Sequence, residues 1–205
     1  MKESVNFAKK DVMLILAGVI LLALEFVISI GSIRVDICSD IVAYVLIIAG
    51  ISRMTRRNNI FKKCRSTAVK GLVVAVAMQF VYCLSLGQFQ ANADLFMKGV
   101  ATIFFIYFTY YFTEGVALEA KMQDKAAVSR NFKITWGVFG VFIFAYYIIL
   151  NFELNDIVSI LVQAVMVICA VYYCYTIAGA CERLYMEGLP PHAQEALEQT
   201  GSASN

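Results

Sequence analysis

Two aspartates ahead of an apolar stretch and a run of cations behind it constrain this chain more than any other feature. In IRVDICSDIVAYVLIIAGISRMTRRNNIFKKCR, residues 33–65, Asp36 and Asp40 come first, and Arg53, Arg56, Arg57, Lys62, Lys63 and Arg65 follow. Residues four apart share a helix face, so Asp36, Asp40 and Tyr44 fall on one side of any helix built here. An apolar helix flanked so unequally has a fixed sense across a bilayer, because lysine and arginine are retained in cytoplasmic loops. The basic run is expected on the cytoplasmic side and the aspartates on the other.

The remainder of the chain repeats the theme. It is 60% hydrophobic and only 16% charged, where a soluble domain carries about 25% charged residues. Spans need ~20 apolar residues each, and segments 12–33, 35–54, 68–86, 95–112, 134–150 and 157–178 meet that need. An even number of spans puts both termini on one side. Lys2, Lys9, Lys10, the cations of 53–70, Lys121, Lys125, Arg130, Lys133 and Arg183 fall there, against Arg34 and Lys98 opposite. The expected fold is an all-α polytopic bundle of six transmembrane helices with both termini cytoplasmic. Its three hairpins cover 12–54, 68–112 and 134–178, within a transmembrane domain of residues 1–187, followed by a polar cytoplasmic tail, 188–205. The opening MKESVNFAKKD looks like the start of a secretory signal. The apolar segment after it outruns an h-region of about 7–15 residues and lacks a small-residue cleavage site, so it is expected to remain as the first span.

Each hairpin's second helix opens on an aspartate: Asp36 in VDI, Asp94 in ADL and Asp156 in NDI. A carboxylate there can accept hydrogen bonds from the free N–H groups of a helix start and suits its positive dipole end. A threefold internal repeat is the other reading of the spacing. Polar and small residues gather on single faces: Gly18, Glu25, Ser29 and Ser32; Gly71, Ala75, Gln79 and Cys83; Lys98, Thr102, Thr109 and Thr113; Gln163, Ala170, Cys174 and Cys181. These are expected to be buried faces, since small residues let helix backbones approach and polar ones avoid lipid. The aromatic segment 104–112, with Tyr172, Tyr173 and Tyr175 at matching depth, reads as an interfacial belt rather than a ligand cage. The charged stretch after Glu114 is expected to continue the fourth helix into the cytoplasm.

The segment from Val35 to Arg65 resembles a pattern in uncharacterised bacterial integral membrane proteins, roughly vDixPDfiGYiLIxxG followed by a polar loop and fKKa. Asp36, Asp40, Tyr44, Gly50, Phe61, Lys62 and Lys63 fall on that pattern, while Ser39 and Ala43 stand where proline and glycine are usual. The resemblance implies a six-helix architecture in the bacterial cytoplasmic membrane and no activity.

The candidate site is a polar cluster at the outer side. Glu25 is the one acid inside a span, and such residues face a protein interior or water. Asp36 and Asp40 lie near it, and Lys98 stands four residues after Asp94 as Asp40 does after Asp36, so Asp40 and Lys98 can neutralise one another across helices. The basic cluster Arg53, Arg56, Arg57, Lys62, Lys63 and Arg65 is read as a cytoplasmic loop facing anionic lipid or a protein partner. The six cysteines form no C-x-x-C pair, and the single histidine, His192, is in the tail. No metal, no cofactor and no nucleic acid is therefore expected, and the cysteines are expected as free thiols. Nothing supplies a Ser/His, Cys/His or paired-aspartate catalytic arrangement within the spans. The expected function is a non-enzymatic subunit or accessory factor of the membrane, with a small cation- or proton-coupled transporter as the alternative. The absence of proline from every span weighs against the broken helices of many secondary transporters.

Overall fold

The computed structural model describes residues 2–24, 27–30, 33–36, 40–83, 89–149, 152 and 156–186. In chain order the elements are α1 (Lys2–Ala23), β1 (Val27–Ile30), β2 (Ile33–Asp36), α2 (Asp40–Met54), α3 (Asn59–Cys83), α4 (Gln90–Met122), α5 (Ala126–Ile149) and α6 (Asp156–Met186). Each helix packs on the next, and α6 returns to pack on α1, closing a six-membered ring. One end of the ring carries the basic run that links α2 to α3, and the other carries the β-hairpin.

Four helical segments are long and apolar enough to cross a membrane: Asn59–Cys83, Gln90–Met122, Ala126–Ile149 and Ile157–Glu182. The first two helices differ from expectation. Helix α1 begins near the N-terminus and stops at Ala23, so the expected continuous span 12–33 is not formed. Beyond it Val27, Ile28, Ile30, Ile33 and Val35 supply β-branched side chains, whose χ1 stiffness favours extended backbone. The two strands pair antiparallel, Ile30 opposite Ile33 and Val27 opposite Asp36, with β2 against α3. Asp36 is thus a strand residue and not the start of a helix. Helix α2 opens instead at Asp40 and has 15 residues, a length of about 22 Å at 1.5 Å per residue. Asp94 lies inside α4, where Gln90 Nε2 donates to its Oδ1 at 2.8 Å, and only Asp156 stands at the first residue of its helix. The threefold pattern of helix-opening aspartates therefore holds at one of its three positions. Glu25 and Ser32 lie outside the described residues and Ser29 is in β1, so the expected stripe of the first span is cut after Gly18. The expected tail, 188–205, also lies outside the described residues.

The other three stripes turn inward at Gly71, Ala75, Thr109, Thr113, Ala170, Cys174 and Cys181, but Cys83, at the last residue of α3, is exposed. The backbones approach closely between α1 and α2, where a Cβ on Gly50 would stand 2.5 Å from the backbone oxygen of Asp11. Helix α4 runs on to Met122, as its charged extension predicts. Its aromatic segment divides by the helical period. Tyr107 and Tyr110 are exposed, whereas Phe105, Phe108 and Phe112 are buried. The buried set meets Phe61 of α3 and Phe139 of α5, and Phe139 in turn stacks on Tyr173 of α6 at 4.6 Å. The Tyr173 hydroxyl is satisfied by Thr113 Oγ1 at 2.8 Å, and Trp136 Nε1 donates to Thr109 Oγ1 at 3.2 Å. Tyr172 and Tyr175 face outward, so the belt and an aromatic core are built from the same two segments.

At the basic end, three ion pairs join neighbouring elements: Arg53 to Asp11 at 3.2 Å, Arg57 to Glu119 at 3.6 Å and Lys133 to Glu114 at 2.7 Å. Asn58 caps α3 by accepting from the N–H groups of Ile60 and Phe61, and its amide donates to the Gly115 carbonyl of α4 at 3.2 Å. Asp11 is almost fully buried, and that burial holds its carboxyl above the usual 3.8 although the Arg53 and Arg57 charges pull it down. A carboxyl raised in the folded state contributes most when protonated, so its contribution is complete below 3.8 and is lost as pH rises through the raised value. Asp11→Asn should therefore flatten the fall in stability above pH 4, read from thermal unfolding in detergent across pH. Arg53→Ala removes the partner of a buried carboxylate and should cost about 1–3 kcal/mol at pH 7, whereas Arg56→Ala, at an exposed position, should stay within ~0.5 kcal/mol.

Candidate functional site: a chamber at the hairpin end

All six helices contribute to one internal chamber of about 60 Å³ near the hairpin end. Leu22 and Ala23 come from α1, Asp40 and Tyr44 from α2, Met78 from α3, Lys98, Ala101, Thr102 and Phe105 from α4, Ile143 and Tyr146 from α5, and Met166 from α6. A few waters or one partly hydrated small ion fit such a space. The ring architecture explains the convergence, since every helix has one face toward the common axis.

Two of the expected site residues meet here. Asp40, in the first turn of α2, and Lys98, two turns into α4, line the same chamber from different helices. Tyr44 is one turn below Asp40, and its ring lies so close to Gly71 of α3 that any side chain there would collide with it. Thr102 ties its hydroxyl to the Lys98 carbonyl at 2.8 Å. Asp36 is in β2, and Glu25 lies outside the described residues. Within the basic cluster, Arg53 and Arg57 are held in ion pairs, while Arg56, Lys62, Lys63 and Arg65 are exposed. Among the described residues no group of His, Cys, Asp or Glu is placed to hold a metal ion. Cys64, Cys83, Cys169, Cys174 and Cys181 are free thiols, and Cys38 lies outside the described residues.

Tyr146 is the chamber residue that sequence reasoning missed. Its hydroxyl donates to Gln163 Oε1 of α6, and Gln163 Nε2 donates to the Ala23 carbonyl of α1 at 2.7 Å. Ala23 is the last residue of α1, where a carbonyl lacks an intrahelical partner. One chain of hydrogen bonds thus ties α5, α6 and α1 beside the chamber. The available signal was the Gln163 stripe, which asked for a donor on a neighbouring helix. Tyr146 and Met166 also form the inner wall of an apolar crevice between α5 and α6, about 250 Å³, whose other residues include Phe142, Leu161 and Val165.

No protein-family model, curated protein or solved structure matches the chain.

Tyr146→Phe removes one hydrogen bond and should cost about 1 kcal/mol. Gln163→Leu strands both the tyrosine hydroxyl and the Ala23 carbonyl and should cost about 2–3 kcal/mol. Thermal unfolding of the purified variants in one detergent gives the order.

Proposed function

We propose that this chain is a non-enzymatic protein of the bacterial cytoplasmic membrane, spanning it six times with both termini in the cytoplasm. Its chamber opens toward the outer face and takes up a proton or small cation, in a carrier or in the ion-handling subunit of a larger membrane complex. The convergence of six helices on one small space lined by Asp40 and Lys98 carries this reading. The alternation of charge between loops supports the topology, and the resemblance of residues 35–65 to six-helix bacterial proteins agrees with it. In the proposed cycle the Asp40 carboxylate pairs with the Lys98 ammonium across the chamber. An entering cation competes for the carboxylate. Cation uptake through the chamber is balanced by movement of a proton in the opposite direction.

A purely structural pair is the second reading, favoured by the cancellation of opposite charges in a space with little water. Two measurements separate the readings. In a double-mutant cycle of Asp40→Ala and Lys98→Ala, coupling of about 1 kcal/mol or more in thermal stability is expected on both. In sealed vesicles with an internal pH dye, an imposed Na⁺ or K⁺ gradient should move protons with the unaltered protein and not with Asp40→Asn. Proton movement that survives Asp40→Asn, or is absent from both, leaves the structural pair. Single cysteines in a cysteine-free background test the topology. Positions 89–92 and 152 should react with an impermeant thiol reagent added outside, and Asn58 and Gln123 should not. Labelling at Asn58 would reverse the assigned sense.

A further inference from the structure

The basic run is divided by the fold into two parts with different fates. Arg53 and Arg57 spend their charge on Asp11 and Glu119. Lys62, Lys63, Arg65 and Lys70 are exposed on the first three turns of α3, and no acidic residue occurs anywhere between Asp40 and Asp94 to balance them. Their inward neighbours Phe61, Cys64, Ala68 and Gly71 are buried, so the 3.6-residue period leaves the cations nowhere to turn but outward.

Contacts between α3 and α4 set the depth of these cations. Phe61 packs on Phe112, with ring centres 6.5 Å apart, and Cys64 Sγ donates to the Phe108 carbonyl at 3.7 Å. Lys62 to Arg65 are therefore level with Phe108 to Phe112, the depth at which Tyr107 and Tyr110 of α4 are exposed, and Tyr110 meets Trp136 of α5 at 5.0 Å. Outward tyrosine and tryptophan mark the headgroup level of a bilayer. Further along the same side of α3, Val69 and Val73 are exposed, and they are apolar where acyl chains would lie.

We propose that the first turns of α3 form a binding surface for an anionic phospholipid, its phosphate held by Lys62, Lys63 and Arg65 and its acyl chains lying along Val69 and Val73. The surface is independent of the chamber and of any ion movement through it. A mobile lysine or arginine near a bilayer surface attracts anionic lipid through charge alone, but here the cations stand in one register with an apolar strip beneath them, which suits a whole lipid and not a free phosphate.

The test is native mass spectrometry of the full chain released from micelles containing equal amounts of phosphatidylglycerol and phosphatidylcholine. Phosphatidylglycerol should remain bound in preference, and the combined variant K62Q, K63Q and R65Q should retain it on the order of 10- to 100-fold less. A control carrying K121Q and R130Q, exposed cations at the same end but away from α3, should retain it as the unaltered chain does. The charge-keeping variant K62R, K63R and R65K should also retain it, and if the neutral triple cannot be purified, K63Q and R65Q singly should each show a smaller loss. Equal retention of the two lipids, an equal loss in the control, or full displacement of the lipid by glycerol phosphate at matched concentration overturns the proposal.

Discussion

Closure of the ring depends on α6 finding α1, the two helices farthest apart in sequence. The contact is made by polar side chains of α6 reaching backbone carbonyls of α1: Gln163 Nε2 to Ala23 at 2.7 Å, and Cys174 Sγ to Leu16 at 3.6 Å. Both donors find a partner across the helix contact, and both carbonyls accept without altering the α1 helix. Apolar packing alone gives little direction between helices, because lipid tails are as apolar as leucine. The hydrogen bonds supply a register, and that register decides which residues face the axis.

The chamber follows from this closure. With α6 held on α1, Met166 and Tyr146 complete a chamber whose lining also includes Asp40 of α2 and Lys98 of α4. Tyr146, bonded to the Gln163 that closes the ring, and Met166 separate the chamber from the apolar crevice outside it. Stability and access are thus set by the same few atoms, and a change that loosens one loosens the other.

Much of this arrangement was legible in the chain, and the parts that were not have physical reasons. Helices α3 to α6 could be read because each has sufficient apolar length, and the inward placement of Gly71, Thr113 and Cys174 follows from the stripes of small or polar residues on α3, α4 and α6. The meeting of Asp40 and Lys98 at one chamber could be anticipated from their matching positions after two aspartates, even though Asp36 belongs to a strand and Asp94 to a helix interior. The break after Ala23 could not be read from hydropathy, which counts isoleucine and valine alike in helix and strand. The β-branched run around Gly31 carried the signal. Tyr146 went unrecognised because aromatic residues in a span are read first as a belt, and only the three-dimensional position of Gln163 distinguishes it.

One wall of the ring is lower than the others. Helix α2 has 15 residues while α3 has 25, so on the proposed topology α2 alone falls short of a hydrocarbon layer of about 30 Å. The β-hairpin stands at that side, with β2 against α3 and its ladder only two strands wide. A sheet edge has no partner for its N–H and C=O groups in hydrocarbon. On that topology a bilayer would have to thin locally beside α1 and α2 for headgroups and water to meet the hairpin. On the same topology Asp40 would sit at the foot of that depression, and the surrounding lipid, by yielding at one side, would shorten the path from bulk solvent to the chamber.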